Sequence, residues 1–225
     1  MSARDNVLGR IRAALGRTAA LSESEATALR AKLENHPRGP APAMLWDPLA
    51  RFRERCLALS STVDTAASLA QLPAAVARYL EAHSLPRVGV CWPQFAGLDW
   101  AGSGVAILPR PANGEDKVGI TSSYCAIAET GTLMLLSGTD TPLKSSLLPD
   151  THIAVVSAAR IVRSLEDGFD LLRKERTQLP RQVAFISGPS RTADIEMTLV
   201  LGIHGPYRVH VILLNPAGNE GTRPG

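Results

Sequence analysis

The sequence has little of what a nucleic-acid-binding protein needs. Only 4% of its 225 residues are aromatic, which leaves few side chains on which bases can stack. The formal net charge is +3, and lysine and arginine form no dense run anywhere along the chain. These shortages predict a protein that does not bind nucleic acid.

Cysteine is also scarce, and the three cysteines are scattered. Cys56, Cys91 and Cys125 form no CxxC pair, so the sequence predicts neither an iron–sulfur cluster nor a disulfide framework. No HxxxH or HExxH spacing suggests a metal site, and no Gly-Lys pair suggests a P-loop. We therefore expect a chain that binds no metal and no cofactor of its own.

Long apolar runs are missing as well. The longest apolar stretches are far too short to cross a bilayer, which predicts that the chain has no membrane span. The first residues, "MSARDNVLGRIRAALGR", carry an interrupted apolar set instead of a continuous signal-peptide core. The expectation is a cytoplasmic protein whose cysteines are buried thiols.

The sequence does contain enough apolar residues to form a buried core, since they make up 45% of the chain. A cluster of prolines and a glycine, "HPRGPAPA", separates a first helical part from the rest. The predicted organisation is a helical arm with its linker over residues 1–44, an α/β domain over 45–216 and a flexible tail over 217–225. The arm serves either partner docking or packing on the domain, and the sequence leaves both open.

The arm and the domain show different periodicities. In the arm, the spacing predicts helices over 5–17 and 22–36, the second opened by a capping box of Ser22 and Glu25. In the domain, short apolar strands alternate with helical segments. The predicted helices are 48–60, 69–85, 164–179 and one that begins at Thr192, and the predicted strands are 87–92, 104–109, 117–122, 131–138, 152–158, 182–188 and 207–214. This alternation predicts an α/β fold with a mostly parallel sheet covered on both faces.

A first candidate motif is Glu129-Thr130-Gly131-Thr132, directly before a buried strand. Gly131 permits a positive φ or a close backbone approach, and the threonines offer hydroxyls. Glu129 then acts on a ligand as acid, base or nucleophile. The alternative is a turn closed by Thr-Gly-Thr in which Glu129 pairs with an arginine.

A second candidate motif, "SGPSRTADIE", follows a predicted strand. Ligands in open α/β sheets bind beyond strand ends, often at helix N-termini, so this turn can hold a carboxylate or phosphate. The alternative is a capped helix start in which Thr192 is the N-cap and acidic residues complement the helix dipole. The residues concerned are Gly188, Ser190, Arg191, Thr192, Asp194 and Glu196.

A third candidate is His204, which lies between two glycines in "LGIHGP". It is either a proton shuttle or a hydrogen-bonded structural residue of the loop.

Read together, these stretches resemble a known family. "VGITSSYCAIAETGTLMLLSG", "SLLPDTHIAVV" and "SGPSRTADIEMTLVLGIHGP" are similar to the lactate-utilisation protein C family, which carries the LUD domain, over about residues 45 to 215. One departure is that many members carry an acidic residue near Tyr124, where this chain has none.

The resemblance implies a three-layer sandwich like that of ribose-5-phosphate isomerase, glucosamine-6-phosphate deaminase and the CoA transferases. It implies a role in oxidising L-lactate to pyruvate beside partner proteins that carry the iron–sulfur clusters. It also makes the first two motifs neighbours at one crevice. Arg191 then either binds a small carboxylate such as lactate or pyruvate, or pairs with Glu129.

Three functions remain open from the sequence. The chain is an accessory or catalytic subunit of the lactate-oxidising system, a stand-alone enzyme of acyl or sugar-phosphate type that uses Glu129, or a regulatory module that senses a small anion. Whether the chain is an enzyme is left undecided.

Overall fold

Two compact units make up the chain, Met1–Ala43 and Met44–Gly225. The structure is a computed structural model, and it describes residues 2–16, 21–40, 42–192 and 200–214. The tail predicted over 217–225 lies outside the described residues.

The first unit contains two helices, α1 (Ala3–Ala14) and α2 (Glu23–Asn35). Each begins with a capping box, formed by Ser2 and Asp5 in α1 and by Ser22 and Glu25 in α2. The capping box predicted at Ser22 is therefore confirmed. Neither helix buries a residue, so local capping and propensity account for what the structure shows of them.

The second unit alternates strands and helices as the sequence predicts. Its helices are α3 (Pro48–Ala58), α4 (Leu72–Ala82), α5 (Lys144–Leu147) and α6 (Leu165–Glu175). Its strands are β1 (Thr62–Ala66), β2 (Val88–Cys91), β3 (Ala106–Leu108), β4 (Val118–Ser122), β5 (Cys125–Ile127), β6 (Thr132–Leu136), β7 (Thr151–Ser157), β8 (Ile161–Val162), β9 (Val183–Ile186), β10 (Arg191–Thr192), β11 (Val200–Leu201) and β12 (Arg208–Leu214).

Six of these strands form one parallel sheet in the order β1-β12-β7-β4-β2-β3. A second sheet has the order β8-β5-β6-β9, with β6 antiparallel to both β5 and β9. The short pair β10 and β11 is antiparallel. The prediction of an α/β fold with a mostly parallel sheet is confirmed. The specific likeness to the ribose-5-phosphate isomerase fold stays a prediction.

Helices cover both faces of the large sheet. His152 and His210 occupy neighbouring register positions on β7 and β12, so their side chains point to opposite faces. Tyr79 of α4 stacks on the His210 ring with 3.8 Å between ring centroids. On the other face, a Cβ placed on Gly119 would collide with the carbonyl oxygen of Ser145, in α5. Here the sheet and α5 pack with no space for a side chain.

One predicted element is wrong, and five strands are missed. Thr192 pairs as a strand residue with Val200, so no helix begins at Thr192. Residues 193–199 lie outside the described part of the chain. The missed strands β1, β5, β8, β10 and β11 have five residues or fewer, too short for a clear period in the sequence.

Candidate functional site

The order of the large sheet contains a topological switch point between β2 and β4. These two strands are neighbours, but the chain leaves β2 for β3 on one side and leaves β4 toward β7 on the other. At such a point in an open parallel sheet, the loops that follow the two strands run in opposite directions. They leave a crevice beyond the carboxyl ends of the two strands. A ligand site is therefore expected next to the residues that follow β2 and β4.

A crevice of about 250 Å³ lies at this place. Trp92, the residue directly after β2, and Tyr124, two residues after β4, form part of its wall. Other lining residues are Leu136 at the end of β6 and Arg176, Gln178 and Pro180 after α6. We call it the switch-point crevice.

Hydrogen bonds fix the wall formed by Trp92 and the chain after β6. The Trp92 indole Nε1 donates to the carbonyl oxygen of Pro142 at 3.2 Å. The Thr141 hydroxyl donates to the Leu136 carbonyl oxygen at 2.8 Å, and the Gln182 amide donates to the Ser137 hydroxyl at 2.9 Å. The wall is thus preorganised, which lowers the entropic cost of binding a ligand.

The opposite wall is fixed by a network of Tyr124, Arg160 and Glu175. Arg160 donates two hydrogen bonds to the Glu175 carboxylate, at 2.7 and 2.9 Å, and a third to the Tyr124 carbonyl oxygen at 2.9 Å. The Tyr124 hydroxyl donates to Glu175 at 2.7 Å, and the Arg160 guanidinium lies 4.6 Å from the centre of the Tyr124 ring. Both the ring and the end of α6 are thereby held in place.

The same network determines which of its groups are charged. The hydrogen bonds from Arg160 are the largest cause that lowers the pKa of Glu175, to about 2. Partial burial, followed by the hydrogen bond to the Glu175 carboxylate, raises the pKa of Tyr124 to about 12. At neutral pH the tyrosine is therefore a neutral donor, and Glu175 is a carboxylate neutralised by Arg160.

Arg176 is the one cationic side chain among the residues that line the switch-point crevice. It is exposed, and although its charge helps to lower the pKa of the neighbouring Glu175, its guanidinium makes no hydrogen bond or close ion pair with any residue in the described ranges. Because Arg160 already neutralises the neighbouring Glu175 carboxylate, Arg176 leaves positive charge at the rim.

The three motifs singled out in the sequence meet elsewhere. We call the turn 129–132, the segment 187–192 and the loop 202–206 the turn cluster. Thr132 begins β6 and Leu136 ends it, which places the turn cluster roughly 13 Å from the switch-point crevice along this strand. The first two motifs are neighbours as predicted, because β6 pairs with β9 through Leu133 and Ile186, while a crevice shared by them stays a prediction.

Hydroxyls in the turn cluster bond to each other. The hydroxyl of Thr132 lies 2.7 Å from that of Thr130 and 2.6 Å from that of Ser187. Glu129 is partly buried, and its amide donates to the Arg163 carbonyl oxygen at 3.0 Å. Its carboxylate has no hydrogen bond or ion pair within the described ranges, which leaves it available for acid–base chemistry.

Two glycines of the turn cluster, Gly131 and Gly188, pack against the end of α3. Gly131 has φ +69°, and a Cβ there would lie 2.9 Å from the Arg55 carbonyl carbon and 3.0 Å from the Cys56 nitrogen. Gly188 has φ +80°, and a Cβ there would lie 2.6 Å from the Leu59 carbonyl oxygen. Glycine is thus required at both positions by backbone conformation and by close packing.

Ser190 and the loop of His204 are joined mainly through the backbone. The Ser190 amide donates to the Pro206 carbonyl oxygen at 2.9 Å, and the Gly202 amide donates to the Ser190 carbonyl oxygen at 3.0 Å. The His204 amide donates to the Ser190 hydroxyl at 3.3 Å. His204 is exposed.

Arg191 binds the end of a helix. One of its guanidinium nitrogens donates to the Leu59 carbonyl oxygen at 2.8 Å and to the Ser60 hydroxyl at 2.6 Å. Leu59 is the C-cap of α3, where a cation satisfies free carbonyl groups and complements the helix dipole. Arg191 and Glu129 form no ion pair, although both are described residues. Asp194 and Glu196 lie outside the described residues.

Sequence reasoning missed the switch-point crevice because its residues belong to no compact motif. Trp92, Tyr124 and Arg176 are separated by more than 30 residues each. The available signal was that predicted strands end at residues 92 and 122. It became useful only once the order of the strands was known.

Buried histidines and cysteines of the second unit belong to the core. Burial raises the pKa of Cys56 to about 12 and those of Cys91 and Cys125 to about 11, so all three thiols are protonated at neutral pH. Across the described ranges, no group of three or more His, Cys, Asp or Glu side chains is arranged to hold a metal ion. No described helix is long and apolar enough to cross a membrane.

More than half of the second unit is similar to a known protein family. Residues 112–214 match the LUD domain family. The resemblance found in the sequence is confirmed. This LUD segment contains the whole turn cluster and every wall residue of the switch-point crevice named above except Trp92.

Curated relatives carry a functional name. The chain is 37% identical over 129 residues to lactate utilization protein C of Bacillus subtilis, covering 52% of this chain and 54% of that protein. It is 42% identical over 101 residues to lactate utilization protein C 1 of Bacillus mycoides, covering 44% and 43%. The chain thus spans about half the length of the curated relatives it matches.

A solved structure supports the fold. The crystal structure of a DUF162 family protein from Deinococcus radiodurans superposes with a TM-score of 0.56 at 27% sequence identity. The match covers 77% of this chain and 99% of that protein.

Proposed function

We propose that this chain acts in lactate utilisation, as an accessory or catalytic subunit of a cytoplasmic system that oxidises L-lactate to pyruvate. Iron–sulfur clusters of the system are carried by partner proteins. The observation that carries the proposal is the 37–42% identity to relatives named for lactate utilisation.

The chemistry of the described residues is consistent with that division of labour. The three cysteines are buried, far apart and protonated, and so they are unsuited to hold a cluster. What the chain offers is a preorganised crevice with a cationic rim, and a Glu129 carboxylate with no hydrogen bond or ion pair among the described residues. Binding or orienting a small carboxylate is the step that such groups can supply.

Reconstitution tests the proposal. The two iron–sulfur partner proteins are purified, and lactate-dependent reduction of an artificial electron acceptor is measured with and without this chain. We expect the rate to fall to background when the chain is omitted, and to return when the folded chain is added. An equal rate in both mixtures would refute the role in lactate oxidation.

A second candidate is a stand-alone enzyme of acyl or sugar-phosphate type. The specific observation in its favour is the Glu129 carboxylate, partly buried and without a partner among the described residues. Turnover by the chain alone that disappears in Glu129→Gln, and persists in the control Glu115→Gln on an exposed loop residue, would favour this candidate. Absence of turnover in the wild-type chain would refute it.

A further inference from the structure

The volume of the switch-point crevice exceeds what lactate alone requires. About 250 Å³ corresponds to about eight water molecules at a liquid volume of ~30 Å³ each. A lactate or pyruvate molecule placed there would leave space beside its methyl group. The crevice therefore fits a ligand with a larger side group.

The walls indicate the chemistry of that side group. Pro180 and the Tyr124 ring, which the Arg160 network holds, are partly exposed, and Trp92 and Leu136, 2% and 8% exposed, add apolar edges to the walls. The indole nitrogen of Trp92 and the hydroxyl of Tyr124 already have partners within the protein. These walls thus offer contact area and little unsatisfied hydrogen-bonding capacity, which suits an apolar or aromatic group.

The rim of the crevice indicates the chemistry of the other end of the ligand. Arg176 has a guanidinium fork without a hydrogen bond or ion pair among the described residues, and Gln178 adds an amide beside it. A guanidinium matches a carboxylate through two parallel hydrogen bonds. Arg160 cannot serve in this way, because Glu175 already occupies its fork.

We propose that the switch-point crevice binds a 2-hydroxy- or 2-oxocarboxylate with an apolar side group, its carboxylate on Arg176 and its side group between Trp92, Leu136 and Pro180. The choice of 2-hydroxy and 2-oxo acids rests on the proposed function. The position of the site, the carboxylate and the apolar side group rest on the crevice alone. Lactate is then a small member of the class that this site accepts.

Calorimetric titration of the full chain tests the proposal, with 3-phenyllactate and L-lactate as probes. Wild type is expected to bind phenyllactate saturably and more tightly than lactate. Arg176→Gln should weaken phenyllactate binding about tenfold or more, because it removes a charged hydrogen-bonding partner. Arg53→Gln removes an exposed arginine of α3, remote from the crevice, and should bind as wild type does.

Several results would overturn the proposal. They are no saturable binding of phenyllactate by wild type, equal affinities in Arg176→Gln and Arg53→Gln, or lactate binding as tight as phenyllactate. A loss of binding in Arg191→Lys with none in Arg176→Gln would transfer the site to the turn cluster. Since calorimetry uses the isolated chain, a failed reconstitution beside normal phenyllactate binding would refute only the lactate role.

Discussion

The turn cluster and the switch-point crevice lie at opposite ends of β6, and they use polar groups in opposite ways. In the turn cluster, hydroxyls bond to one another and Arg191 binds the end of α3. At the crevice, the structural hydrogen bonds lie within the walls, and among the described residues the Arg176 guanidinium at the rim forms no hydrogen bond. A dense polar motif in the sequence can therefore serve to pack structural elements together, whereas residues scattered along the sequence can form the place where a ligand binds.

The largest effect expected from a single substitution comes from Gly131→Ala in the turn cluster. A methyl group there meets the Arg55 Cβ at 2.7 Å and the α3 backbone at 2.9–3.0 Å, and the Gly131 backbone has φ +69°. Overpacking and a strained φ together should cost about 3 kcal/mol of unfolding free energy, measured by urea denaturation. Gly97→Ala is the control, since its Cβ would meet nothing within 4 Å. Equal stability of the two variants would contradict the packing role of the turn cluster.

Acid should destabilise the large parallel sheet, which contains two buried histidines. Burial lowers the pKa of His152 to about 3 and that of His210 to about 4, so both stay neutral in the folded chain. The unfolded chain takes up protons below pH 6.5, and stability therefore falls as pH drops from 6.5 toward these values.

The expected loss between pH 8 and pH 5 is about 2 kcal/mol for each of these histidines. Urea denaturation at several pH values measures it, and His152→Gln should reduce the dependence on pH. A flat profile between pH 8 and pH 5 would show that the histidines are not buried as neutral groups. Ligand binding to the two regions is thus best compared above pH 7.

Much of the fold could be predicted from sequence, but only part of the candidate site. Strands such as β7 and β12 are apolar runs long enough to recognise, whereas β5 has three residues and no clear signal. The proximity of the motifs that begin at Glu129 and Ser187 was predicted only from the resemblance to the family. The place of Trp92 beside Tyr124 could not be predicted, because it depends on the order of strands, which is a long-range property. Nor could the sequence show that Arg191 binds the end of α3.

Glu175→Gln tests whether the network of Tyr124, Arg160 and Glu175 supports the switch-point crevice. It weakens the bidentate contact with Arg160 and the hydrogen bond to Tyr124. Because the Arg160 and Glu175 side chains are each about one-third exposed, the substitution should cost about 1 kcal/mol of unfolding free energy. Phenyllactate binding should weaken as well, since the Tyr124 wall loses its support. Glu54→Gln breaks an exposed ion pair on α3 and should change neither quantity. Unchanged binding in Glu175→Gln would show that the network does not organise the crevice.

Arg191→Lys carries the smallest expected effect and separates the two regions most directly. A lysine keeps the charge near the C-terminal end of α3 but lacks the planar guanidinium that reaches Leu59 and Ser60 together. Loss of one such contact on an exposed side chain should cost about 0.5–1 kcal/mol, seen as a small decrease in melting temperature. If Arg191 only joins the turn cluster to α3, phenyllactate and lactate should bind as they do to wild type. Weaker binding of either probe with an unchanged melting temperature would mean that Arg191 contacts the ligand and that the turn cluster is the functional region.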